Sequence, residues 1–233
     1  MPGAAEHVES PPQYSAAVPS AVFFVGDSIT FGWRDEDLGG WPTRLITALP
    51  NRQTVTAYNL SVRGDTSESV RARWQDEVGR RRQISSPTAI VFAFGANDAK
   101  LYPDGEPFVP LEDTRRNTAQ ILQMAQRDHR VLFIGPAPVD ESTLARVLNP
   151  RGNTPVPSNR QIATVSEILA AEAAKADVPY FDLTHRLAGN EAWFDGLREI
   201  DGIHPPGRGH DIIAGLIGAW KPWNNLFKTD STR

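Results

Sequence analysis

The sequence predicts an α/β domain: a mostly parallel, five-stranded sheet with helices on both faces. Three observations point there. Five short apolar runs, at 21–25, 55–60, 89–94, 131–134 and 179–181, read as buried strands, because a strand enclosed on both faces has no solvent side to make polar. The stretches between them carry apolar residues at helical spacing. Strand and helix alternate along the chain, which is the pattern of parallel crossovers.

Taken in order, the first run ends in Gly26-Asp27-Ser28-Ile29-Thr30. A glycine followed by polar residues is how a buried strand enters a tight turn at the carboxyl edge of a sheet, where open α/β sheets bind ligands. Trp41, Leu45, Ile46 and Leu49 share one helical face, as do Ile121, Leu122 and Ala125. Ile162, Val165, Ile168, Leu169 and Ala173 mark a further helix, and Ile212, Ile213, Leu216 and Ile217 a last one over about 209–220. Segments 100–110 and 139–157 hold several prolines and the turn signals Asp104-Gly105 and Asn149-Pro150. Both follow strand ends, so they either shape a binding site or ornament the surface. Residues 1–20 read as a flexible leader, 21–220 as one domain without repeats or linkers, and 221–233 as a tail. Trp220 and Trp223 are expected to pack back on the body.

Composition narrows the function. A chain of 233 residues with 40% apolar and 22% charged residues suits one domain with a real core. A formal net charge of -4 favours no nucleic-acid partner. The absence of cysteine excludes disulfides, thiolate metal sites and cysteine nucleophiles. No apolar run approaches the roughly 18 residues of a membrane span. The leader carries Glu6, Glu9 and Pro11-Pro12 rather than the basic start and apolar stretch of a secretion signal. The expected location is therefore cytoplasmic, although a chain whose signal had been cleaved would look the same. No His/Asp/Glu cluster has metal-ligand spacing, and no cofactor is expected.

Four short blocks carry candidate chemistry. Taken alone, Ser28 reads first as the cap of a helix and second as a nucleophile. Leu60-Ser61-Val62-Arg63-Gly64-Asp65-Thr66 ends the second run, and Gly64 permits close backbone approach to a ligand or simply a strand-to-helix turn. Gly95-Ala96-Asn97-Asp98 ends the third. Asn97 can donate a hydrogen bond to developing negative charge, or form an Asx-turn. Asp98 reads as a loop-fixing acceptor. Asp201-Gly202-Ile203-His204-Pro205 offers an imidazole base with a carboxylate to orient it, or a capping Asp and a solvated His. His7, His129 and His185 read as solvated or structural, His210 as structural, and Arg80-Arg81-Arg82 as the solvated end of a helix.

Together and in this order, these blocks resemble the SGNH hydrolase superfamily, the GDSL-type lipases and esterases, over residues 21 to about 217. The resemblance implies a flavodoxin-like α/β/α sandwich. It implies Ser28 as nucleophile, His204 as general base and then acid, and Asp201 as its orienting carboxylate. It also implies an oxyanion hole built from the amides of Ser28 and Gly64 and the side chain of Asn97. Val62-Arg63 departs from the small residues common before this glycine, so Arg63 either intrudes on the site or binds an acidic part of the substrate. The implied partner is a small acyl ester or thioester of short to medium chain, with Arg63, Phe31, Tyr102 and Phe108 as candidate substrate contacts. Removal of acetyl groups from a glycan is an alternative on the same scaffold. A non-catalytic module holding an anion or glycan at the helix after Gly26 is another.

Overall fold

The computed structural model describes residues 18–37, 39–50, 52–82, 86–147 and 154–228. Most of the expected leader, with His7, lies outside the described residues, as do 148–153 and 229–233. Five parallel strands form the central sheet: β1 (Ala21–Gly26), β2 (Thr56–Asn59), β3 (Thr88–Ala93), β5 (Arg130–Ile134) and β7 (Tyr180–Phe181). Their order is β2-β1-β3-β5-β7, so the strands that run through the middle are the most continuously apolar ones. β1 and β3 are buried at every position. β2 is an edge strand with exposed residues, because only β1 pairs with it.

Alternation along the strands divides the core in two. Phe23, Val25, Ile90 and Phe92 face one layer, which holds α3 (Ser67–Gly79), α4 (Leu111–Ala125) and α6 (Asn159–Lys175). Val22, Phe24, Ala89 and Val91 face the other. That layer holds α2 (Gly40–Thr47), α7 (Leu183–Leu187), α8 (Glu191–Glu199) and α9 (Gly207–Gly218). The four-residue α1 (Ser28–Phe31) follows β1 directly. α6 starts where its sequence signals it should: the Ser158 side chain accepts from the Gln161 amide, and the apolar stripe begins at Ile162. The last long helix starts two residues earlier than its apolar stripe suggested, just after Pro205-Pro206.

The two proline-rich segments are not plain loops. Lys100–Leu101 (β4) pairs antiparallel with Val156–Pro157 (β6), and Glu141–Val147 forms α5. From Lys221, where a tail was expected, Lys221–Asn225 forms α10, and Trp223 is only 2% exposed in the second core layer.

His210 on α9 is completely buried, and among the described residues neither ring nitrogen has a hydrogen-bond partner. Burial pushes this imidazole down to about 4, with Asp35 opposing and Arg44 reinforcing the shift. A ring that ionises less readily when folded stabilises the fold fully above its unfolded value near 6.5. That contribution is lost as pH falls through the folded value. Urea melts of His210→Leu are therefore expected to show an acid-side loss of stability, between pH 6.5 and 4, that is smaller than in the parent by up to about 3 kcal/mol.

Candidate active site

The nucleophile candidate is positioned by a glycine that cannot be replaced. A Cβ at Gly26 would lie 2.2 Å from the Ala93 carbonyl oxygen, so only glycine lets β1 turn out of the sheet beside β3. Asp27 then caps α1, accepting the Ile29 amide at 3.0 Å. The cap is therefore Asp27 and not Ser28, which is the first helical residue. Burial pushes the Asp27 carboxyl up to about 6, against its amide partners and the nearby His204 and Lys100.

The Ser28 hydroxyl lies 2.9 Å from His204 Nε2, and His204 Nδ1 lies 2.8 Å from Asp201 Oδ2. Asp201 uses its other oxygen, Oδ1, to accept the backbone amides of Ile203 and His204 at 3.0 and 2.9 Å. One carboxylate thus shapes the turn and fixes the ring borne by that turn. Burial alone would raise Asp201, but the hydrogen bonds from the His204 ring and backbone take it down to about 2. A carboxylate at Nδ1 holds the proton there and leaves Nε2 to accept from the serine hydroxyl. The turn itself is anchored on both flanks. Gly202 donates to the Leu197 carbonyl at 2.9 Å and accepts from the Asp140 amide at 2.8 Å, while the Gly207 amide donates to Glu36 at 3.1 Å.

Gly64 and Asn97 meet the same cavity from the ends of the two strands flanking β1. Gly64 has φ of +85°, and an added Cβ would touch nothing within 4 Å, so glycine is needed here for its backbone and not for space. The amides of Ser28 and Gly64 donate to no protein acceptor among the described residues. Asn97 Nδ2 donates one hydrogen to the Asp65 carbonyl at 2.9 Å, which orients the amide and leaves its second N–H for the site. Asp98 is the loop-fixing acceptor expected of it. Its carboxylate takes the Ser67 amide at 2.9 Å and the Thr114 hydroxyl at 3.1 Å, which ties the turns after β2 and β3 together.

These groups share a cavity of about 250 Å³. Arg63 also lines it, with its guanidinium 3.3 Å from the centre of the Trp33 ring. Three other predicted contacts do not line it. Phe31 closes the short α1 and is 48% exposed. Tyr102 and Phe108 stack edge to face on each other, because the turn between them (Tyr102 amide to Glu106 carbonyl) folds Phe108 back beside β4. Asp27, Lys100 and Pro157 do line the cavity and were missed. Lys100 was detectable only as a basic residue three positions after Asn97; Pro157 arrives through the ribbon pairing, which no local signal encodes. A second hollow of about 340 Å³ between α2, α9 and α10 is larger, but none of the side chains around it is a nucleophile or a base. The remaining histidines fit their expected roles: His129 is buried against Thr88 and His185 is exposed. Among the described residues no three metal-ligating side chains gather, and no helix is long and apolar enough to cross a membrane.

Comparison with known proteins gives a consistent picture. The GDSL-like Lipase/Acylhydrolase family matches residues 24–212. The chain is 24% identical over 202 residues to the GDSL esterase/lipase WDL1 of Oryza sativa subsp. japonica, covering 84% of this chain and 74% of that protein. It is 26% identical over 148 residues to the GDSL esterase/lipase CPRD49 of Arabidopsis thaliana, covering 61% of this chain and 57% of that protein. Among solved structures, the lipase/acylhydrolase from Enterococcus faecalis superposes with a TM-score of 0.63 at 21% identity, over 91% of this chain and 99% of that one. The acetyl xylan esterase AlAXEase gives a TM-score of 0.63 at 19% identity, over 84% and 97%.

Proposed function

The chain belongs to the GDSL-like lipase/acylhydrolase family, and from that premise we propose that it hydrolyses small carboxylic esters through an acyl-enzyme on Ser28. His204 takes the Ser28 proton on Nε2 as the hydroxyl oxygen bonds to the acyl carbon. The carbonyl π electrons move onto oxygen, where the amides of Ser28 and Gly64 and the free N–H of Asn97 receive the charge. Each such donor is typically worth about 3–4 kcal/mol in the transition state. Collapse re-forms the carbonyl and breaks the bond to the alcohol oxygen, which leaves with the proton from His204. Water then repeats the sequence and frees the acid.

The observation that carries this reading is the unbroken pair of hydrogen bonds from Asp201 through His204 to Ser28. A module that only bound an anion or a glycan would need no carboxylate behind its imidazole. The size of the cavity favours short acyl groups: about 250 Å³ lies below the roughly 300–1,000 Å³ of sites for drug-sized ligands. That same observation supports a second reading, removal of acetyl groups from a carbohydrate, and AlAXEase is described as an acetyl xylan esterase.

Labelling with a neutral fluorophosphonate, followed by peptide mapping, is the direct test. We expect the label on Ser28 alone, and a folded protein that takes no label would support the binding module instead. Rates on p-nitrophenyl esters of graded chain length, beside an acetylated xylose oligomer, separate the two enzymatic readings. The simple esterase is expected to favour the acetyl and propionyl esters; a rate on the sugar far above these would support the deacetylase.

A further inference from the structure

We propose that the ester accepted by this site carries a carboxylate, held by Arg63 and Lys100 on the wall of the cavity that contains Ser28. The inference rests on the hydrolase reading above and deepens it to a substrate class.

Two basic side chains line a small cavity in a chain whose formal net charge is -4. They approach from opposite sides. Arg63 lies on the turn after β2 and Lys100 opens β4 after β3, while Ser28 follows β1 between them. Arg63 lies over the Trp33 ring and Lys100 faces the Phe108 ring at 6.0 Å. Neither has a carboxylate within ion-pair distance among the described residues. The acids around the site are committed elsewhere. Asp65 is paired with Arg73 at 2.6 Å, Asp98 holds Ser67 and Thr114, and Asp201 holds His204. Asp27 is the exception: it lines the cavity, its carboxylate accepts the Ile29 amide, and it attracts Lys100 without reaching ion-pair distance. Counted with Asp27 ionised and His204 neutral, the lining still carries one net positive charge.

Lys100 is poorly solvated where it stands, and burial lowers its affinity for a proton by more than the nearby Asp27 raises it. An arriving anion would restore the counter-charge that water supplies elsewhere. Among the described residues no acceptor takes any of the five Arg63 donors; their planar fork matches a carboxylate, and Trp33 beneath it limits how far the fork can wander. Because the cavity is small, the anion must sit within a few bonds of the scissile ester. Half-esters of short dicarboxylic acids and acylated short hydroxy acids both meet that requirement, the first with the charge on the acyl side and the second on the alcohol side.

Two pairs of substrates decide the matter at low ionic strength, where exposed charges are least screened. Monoethyl succinate is compared with ethyl pentanoate, and acetylated glycolate with propyl acetate, by acid release in a pH-stat. The anionic member of at least one pair is expected to show a kcat/KM about tenfold or more above its neutral counterpart, the scale of one hydrogen bond to a charged group. That ratio should fall by about fivefold or more in Arg63→Gln and in Lys100→Gln. Free succinate should slow fluorophosphonate labelling of Ser28 in the parent and not in the double variant. If neutral esters are cleaved but neither anionic ester is preferred, the substrate class is wrong and the hydrolase reading stands. A preference that survives in the double variant also overturns the assignment to these two residues. If no ester is cleaved and Ser28 takes no label, the hydrolase reading falls and this proposal falls with it.

Discussion

Ser28→Ala is expected to lower kcat for every ester tested by about a millionfold, the usual cost of deleting the nucleophile of such a triad. The reason is local. Without the oxygen there is no atom to bond to the acyl carbon, and His204 has nothing to deprotonate at 2.9 Å. What remains is a site that can still bind the ester and polarise its carbonyl. The fold should not notice the change. The helix cap is Asp27, and among the described residues the one side-chain hydrogen bond of Ser28 is to the imidazole. Single-turnover assays read the rate, and urea melts the stability. Ester cleavage at the parent rate by a folded Ser28→Ala protein would remove the proposed chemistry entirely.

Asp201→Asn is expected to cost about ten-thousandfold in kcat. The change is nearly isosteric, so the loss measures charge and tautomer and not shape. An amide can still accept the Ile203 and His204 backbone hydrogens through its oxygen. It then presents NH₂ to the ring, which favours a proton on Nε2, the nitrogen that must accept from Ser28. The imidazolium formed during the reaction also loses its counter-charge. The parent carboxyl sits at about 2, below the usual value of 3.8. Its stabilising effect is therefore complete above the unfolded value and disappears only as pH falls through the folded one. Asp201 should thus impose no acid limb on the rate profile between pH 4 and 8. A rate within tenfold of the parent in Asp201→Asn would mean that the carboxylate is not the orienting group.

Much of this architecture is legible in the sequence. The middle strands were legible because burial on both faces leaves an unbroken apolar run, as in Val22-Phe23-Phe24-Val25. α3 was not, although it packs Val70, Trp74 and Val78 against the sheet. Its stripe has only three large apolar residues in thirteen positions, so its charged face dominates any window. The β4–β6 ribbon was invisible for a different reason: two residues pair with two others more than fifty positions away, and pairing of that kind leaves no periodicity.

The same distinction holds at the site. Ser28, Gly64, Asn97, Asp201 and His204 each sit at a strand end or tight turn, where residue type and position already suggest a task, and all five come together there. Phe31, Tyr102 and Phe108 were chosen because their segments follow strand ends. The direction of a loop side chain depends on turn hydrogen bonds and packing instead, as the fold-back of Phe108 onto Tyr102 shows.

The ribbon has a consequence for how this enzyme scaffold can diversify. Ser28, Gly64 and Asn97 hang from the ends of the main sheet, and Asp201 and His204 from the turn before α9. Lys100 and Pro157, by contrast, are delivered by β4 and β6, which make no pairing with that sheet. One part of the cavity wall is thereby mounted apart from the sheet that carries Ser28. Substitutions in either segment of the ribbon can alter what is admitted while the Ser28, His204 and Asp201 side chains keep their alignment.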